Sequence, residues 1–187
     1  FSSVEINATY YGLPSRSTFE GMAARTPEGF TFWVKVPGEV THQDSDLTVI
    51  MGQFDDAVTP LNDSGRLCGV LAQFPQSFHY SMKATERLKR LRDLSRDKKL
   101  AVEIRHLDWQ KEEAYEFFRQ NDIINVLADL PSLPGLPMPI PVVTDGIGYV
   151  RLHGRNAEAW HNPEQGDRYD YLYSELELQH LLLTVQR

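Results

Sequence analysis

The chain has one cysteine, Cys68, in 187 residues. A single thiol excludes an intrachain disulfide and any zinc or iron–sulfur centre built from cysteines. It precedes an apolar strand and reads as a small buried side chain. No stretch approaches the roughly 18 uninterrupted apolar residues of a membrane span, and no leader pattern is visible, so a cytoplasmic location without a membrane partner is the default expectation. Basic charge is also scarce: 19 Lys and Arg stand against 26 Asp and Glu, a net charge of -7. That argues against broad nucleic-acid binding, while leaving room for a local basic pocket. A P-loop, a dinucleotide fingerprint and a nucleophile motif are all missing. Gly146-Ile-Gly148 is too short a glycine pattern to bind a cofactor and reads as a turn.

What is present is rhythm. Six short apolar runs carry polar residues at alternating positions: Val4–Asn7, Thr31–Lys35, Gly69–Gln73, Ala101–Arg105, Asn125–Asp129 and Tyr149–His153. Successive strand residues point to opposite sides of a sheet. The alternation predicts that Glu5, Asn7, Lys35, Gln73, Glu103, Arg105, Asp129, Arg151 and His153 share one face. Val4/Ile6, Phe32/Val34, Val70/Ala72, Val102/Ile104, Val126/Ala128 and Val150/Leu152 are expected on the other. Helical spacing fills the intervals: Ser17–Arg25, Asp46–Leu61, Met82–Leu94 and Lys111–Gln120, with a capping box at Ser174-Glu-Leu-Glu177 opening a Leu-rich helix. Strands alternating with helices predict βαβ units and a parallel sheet. After the fifth run, Pro131–Pro141 is too rich in proline for a helix and is expected to run as a rigid extended loop.

Six strand–helix units fall short of the eight of a β/α-barrel. The chain opens without Met, almost directly in a strand, and stops inside a helical pattern. Either the sheet is open and doubly wound, or two strands lie outside a segment of a longer protein; the abrupt ends favour the second.

Polar groups at the C-terminal ends of parallel strands are how such folds build a site. Three cations (Lys35, Arg105, Arg151) with Arg155 beside them favour a small anionic ligand, because guanidinium forks match phosphate and carboxylate. Glu103, His106, His153 and Asp129 are the candidate acid–base groups. Glu5, Asn7, Tyr11, His42, Gln73 and Trp109 complete the expected lining. Two other functions remain open: a divalent metal held by Glu5, Glu103, Asp129 and His153 for hydrolysis or isomerisation, or a binding barrel without catalysis. The oligomeric state is not legible.

At this resolution of motif the sequence resembles the YecE-like family, also called domain of unknown function 72. The residues that carry the resemblance are Val4-Glu-Ile-Asn-Ala-Thr-Tyr-Tyr11 with Leu13-Pro-Ser15, Thr26-Pro-Glu-Gly-Phe30, Phe32-Trp-Val-Lys35, Thr41-His42 and Gln73-Phe-Pro-Gln-Ser-Phe78, followed by Val102-Glu-Ile-Arg-His106 with Trp109, Leu127-Ala-Asp129 and Tyr149-Val-Arg-Leu-His-Gly-Arg155. Ile104 and Leu107 stand where the family often has Phe and Pro. The resemblance implies a TIM-type β/α-barrel. The family's usual opening Gly-rich strand with a Trp and closing strand with a paired Asn are missing, which implies a single incomplete barrel domain over residues 1–187 holding strands two to seven of eight. It implies no reaction, because one barrel fold hosts many chemistries.

Overall fold

The computed structural model describes residues 1–95, 97–160, 162, 167 and 169–185. The apolar runs form β1 (Ser3–Ile6), β2 (Thr31–Lys35), β3 (Leu67–Phe74), β4 (Lys99–Ile104), β5 (Ile123–Asp129) and β6 (Tyr149–Leu152). All neighbours pair in parallel and in chain order. The six-stranded sheet is curled into a partial TIM-like barrel. Its end strands are not paired with each other, yet Glu5 on β1 accepts a 2.7 Å hydrogen bond from the Tyr149 hydroxyl on β6, so side chains bridge the seam.

The helical periodicities become α1 (Arg16–Arg25), α3 (Leu47–Asp63), α4 (Met82–Leu94), α5 (Glu112–Gln120) and α7 (Glu175–Val185). Their starts follow cap chemistry. Asp46 accepts from the Thr48 amide and Ser81 from the Ala84 amide. The capping box at α7 closes in both directions: the Ser174 amide donates to Glu177 Oε2 at 2.9 Å, and the Glu177 amide donates to Ser174 Oγ at 3.3 Å. Two short helices, α2 (Gly38–His42) and α6 (Ala157–Trp160), are too brief to leave a periodic signal. Among the described residues no helix is long and apolar enough to cross a membrane.

The curled sheet separates two interiors. Outside it, Phe32, Val34, Val70, Ala72 and Val102 pack against helix residues such as Phe19, Phe54, Leu88 and Phe118. Inside, the lower layer is apolar: Leu71, Ala101, Ile124 and Val126 meet Trp33, Ile147 and Tyr149. Gly69 makes room for this layer. A Cβ there would sit 2.5 Å from the Trp33 ring and 2.7 Å from the Lys99 carbonyl.

One strand departs from the expected facing. The inward Ala101 pairs with Ile124, while Tyr149 pairs with Val126 and Arg151 with Ala128. Val126 and Ala128 therefore face the interior, and Asp129 faces the other way beside Leu152. The expected inward placement of Asp129 is corrected. Its cause is the extended loop over Pro131–Pro141, which continues to residue 148 without helix. Where an apolar helix would cover β5, this loop offers polar partners instead: the Asn125 side chain donates to the Val142 carbonyl at 3.1 Å, and the Thr144 hydroxyl donates to the Ile123 carbonyl at 2.6 Å. The outer face of β5 can therefore be polar, which inverts the alternation.

Gly69→Ala is expected to lower the unfolding free energy by about 1–3 kcal/mol, as overpacking does, measured by chemical denaturation. An unchanged midpoint would mean that Trp33 has room to move.

Candidate functional site

Seven inward polar side chains stand above the apolar layer: Glu5, Lys35, Gln73, Glu103, Arg105, Arg151 and His153. β-strand alternation delivers them to one end because the registers align Glu5 with Trp33, Lys35 with Leu71, and Gln73 with Glu103. At the centre lies Glu103, fully buried. Arg105 Nε donates to its Oε1 at 2.8 Å. Its Oε2 faces Arg151 Nη1 in close contact and His153 Nε2 at 3.0 Å. Burial alone would raise the Glu103 carboxyl; the His153 hydrogen bond and the charges of His153, Arg105 and Arg151 hold it well below the usual carboxylate range.

Arg151 joins this group to the seam. Its Nε and Nη2 donate to the two carboxylate oxygens of Glu5 at 3.0 and 2.8 Å. Asn7 and the Tyr149 hydroxyl each donate to Glu5 at 2.7 Å. Burial raises the Glu5 carboxyl, but Arg151 outweighs it and keeps it ionised. Both carboxylates thus spend their lone pairs on protein donors.

The other half of the mouth is built around Lys35. Its Nζ donates to Gln73 Oε1 at 2.8 Å, which also accepts from Arg105 Nη2 at 3.3 Å. The ammonium lies 4.1 Å from the centre of the Tyr10 ring. Tyr10 in turn brings its hydroxyl within 3.3 Å of His42 Nε2. Two adjoining cavities open here. One of about 250 Å³ is lined by Tyr10, Tyr11, Lys35, His42, Gln73, Arg105 and Trp160. The other, about 510 Å³, is lined by Glu5, Asn7, Tyr11, Lys35, Gln73, Arg151, His153 and Tyr169.

The structure therefore brings together Glu5, Asn7, Tyr11, Lys35, His42, Gln73, Glu103, Arg105, Arg151 and His153. Four expected residues lie elsewhere. Asp129, facing outward, is held by Arg155 through 2.8 and 2.9 Å bonds and by the Tyr173 hydroxyl at 2.6 Å. Arg155 continues to Glu177 at 3.1 Å, tying α7 to the end of β5. His106 turns from the mouth, its Nδ1 2.7 Å from Asp108, which also meets His79 at 3.1 Å. Trp109 is packed in the helix-side core, stacked on Phe78 and Phe118, and donates from Nε1 to the Phe78 carbonyl at 2.8 Å.

The metal set Glu5, Glu103, Asp129 and His153 is consequently not assembled, since Asp129 faces away from the other three. Among the described residues, the group whose ligand atoms lie within 4.8 Å of one another is His79, His106 and Asp108, on the rim. Tyr149 shares the parity of Arg151, so alternation alone could have placed it in the site. Tyr10, at the end of the 3₁₀ turn Ala8–Tyr10, and Trp160, at the end of α6, occupy elements too short to carry a periodic signal.

The whole chain, residues 1–187, matches the family model described as "Protein of unknown function DUF72". The chain belongs to this family. It is 28% identical over 196 residues to the UPF0759 protein YunF of Bacillus subtilis (strain 168), covering 96% of this chain and 70% of that protein. A DUF72 family protein of Thermotoga maritima MSB8, known from its crystal structure, is 45% identical with a TM-score of 0.89, covering 100% of this chain and 72% of the other. A second, from Enterococcus faecalis V583, is 25% identical with a TM-score of 0.88, covering 99% of this chain and 74% of that one.

Glu103 makes acid stability predictable. Its carboxyl ionises at lower pH in the folded than in the unfolded chain, so its contribution is present above the unfolded value of about 4.3 and is lost as pH falls below it. Glu103→Gln should lower stability at pH 7 by about 3–5 kcal/mol, the cost of stranding buried cations. It should also flatten the loss of stability below pH 4. Denaturant titrations at pH 3, 4, 5 and 7 read both effects, and equal acid slopes in the two proteins would contradict the assignment.

Proposed function

We propose that this DUF72 protein binds a small anionic molecule, phosphorylated or carboxylated, at the strand C-terminal mouth and acts on it by acid–base chemistry. One observation supports the reading above the others: the mouth collects three cations against two carboxylates, and both carboxylates are already engaged by Arg151. The excess positive charge lies at Lys35; beside it Arg105, whose Nε is held by Glu103, turns Nη2 to the same Gln73 Oε1, and both line the smaller cavity. An anion placed there would meet an ammonium and a guanidinium, the strongest kind of hydrogen-bond donor for it. Trp160, whose ring centre lies 5.4 Å from the Arg105 guanidinium, would fix the orientation of that fork.

His153 is the group suited to moving a proton. It lines the larger cavity and is held by Glu103 at 3.0 Å, the pairing that orients an imidazole for acid–base work. Glu103, kept ionised, serves as its orienting partner and not as an acid. We read the six strands as the second to seventh of an eight-stranded barrel. In support, the outer faces of β1 and β6 leave Val4, Val150 and Leu152 more than a third exposed, as strands awaiting neighbours would.

Calorimetric titration with inorganic phosphate and pyrophosphate tests the anion site. Binding to the wild-type chain is expected, weakened about tenfold or more in Arg105→Gln, the value of a charged hydrogen bond of ~1.5–3 kcal/mol. Equal affinity in a folded Arg105→Gln protein would remove Arg105 from the site. No binding of either anion, nor of a dicarboxylate, would overturn the reading.

A further inference from the structure

Lys35 is unlike the other cations of the mouth. Arg105 and Arg151 each have a carboxylate partner within 3 Å. Lys35 has none within 4.0 Å among the described residues; its Nζ is held by a neutral amide oxygen and an aromatic face. It is only 8% exposed, yet it lines both cavities. Its backbone is fixed from behind, where the buried Thr9 hydroxyl donates to the Lys35 carbonyl at 2.5 Å. The amine is thus rigidly placed, poorly solvated and open to a ligand.

Resting on the anion reading above, we infer that Lys35 is a nucleophile, and that the ligand class is an anionic aldehyde or ketone captured at Nζ as an imine. The free amine adds to the carbonyl carbon, forming the C–N bond and breaking the C–O π bond. The carbonyl oxygen takes up two protons, one released by nitrogen and one from solvent, and leaves as water. The product is a protonated imine, with no change of oxidation state. Such a lysine must be partly neutral near physiological pH, which desolvation and neighbouring cations achieve. Burial and then the charge of Arg151 pull Lys35 down to about 8; Arg105 acts in the same direction, while Glu103 and Glu5 oppose. His42 faces the same cavity with its basicity lowered by burial and by Lys35, and it meets Tyr10 beside the ammonium.

Trapping tests this. The full chain is incubated with sodium cyanoborohydride and either pyruvate or dihydroxyacetone phosphate, neutral dihydroxyacetone serving as control, and labelled sites are mapped by mass spectrometry. Lys35 should be labelled about tenfold or more faster than the exposed Lys83 and Lys111 with the anionic carbonyls, and pyrophosphate should compete. The labelling rate should rise with pH to half its maximum near 8. A folded Lys35→Arg protein should retain only slow labelling at the exposed lysines. Phosphate or pyrophosphate binding in calorimetry without preferential labelling of Lys35 would overturn the imine and leave the anion site standing. Absence of both binding and labelling would overturn the two together. Equal labelling by neutral dihydroxyacetone, uncontested by pyrophosphate, would overturn the anionic class.

Discussion

A carboxylate with no access to water organises this protein. Glu103 sits at the middle of the sheet, and removing it from solvent would be prohibitive without compensating charge. Arg105 and Arg151 supply that charge from the end of its own strand and from β6, and His153 Nε2 lies at hydrogen-bond distance from the same carboxylate. Arg151 then spends its remaining donors on Glu5, on the strand at the opposite end of the sheet. A chain of ion pairs therefore runs from β4 through β6 to β1, and it crosses the seam between two strands that are not paired with each other. These side chains thus span the gap that the curled sheet leaves between β1 and β6.

The layering makes the arrangement affordable. Below the ion pairs, Trp33 and Tyr149 meet edge to face at 4.8 Å and fill the interior against Leu71, Ala101, Ile124 and Val126. Tyr149 belongs to both layers, with its ring in the apolar floor and its hydroxyl on Glu5. Above the floor and the neutralised centre, Lys35, His42 and Tyr10 are held by neutral contacts. Binding sites benefit from this division, since a preorganised scaffold loses little entropy when a ligand arrives.

Three polar clusters that the sequence places near one another are kept distinct in space. The Glu103 group occupies the interior. Asp129, Arg155, Tyr173 and Glu177 form a bracket on the outside that holds α7. His79, His106 and Asp108 share the rim beyond β4. Neighbouring residues such as Arg105 and His106 are sent to different clusters because a strand turns consecutive side chains to opposite sides.

The parallel order of strands, most helix starts and the polar membership of β1, β2, β3, β4 and β6 were determined by the sequence alone, because periods of 2 and 3.6 and cap residues are local physics. The resemblance added the barrel. β5 departs from the expected facing for a reason equally physical: alternation tells which residues share a face but not what covers each face. Only the tertiary structure placed a proline-rich loop over the outer side of that strand, where Asn125 bonds its backbone, and brought Arg155 and Tyr173 to the outward Asp129. The same limit applies to Trp109, whose packing depends on Phe78 and Phe118 from elsewhere in the chain. Lys35 illustrates both levels. Its place on the inward face follows from alternation, whereas its lack of a carboxylate partner depends on Arg105 and Arg151 having claimed Glu103 and Glu5, a competition that exists only once the sheet has curled.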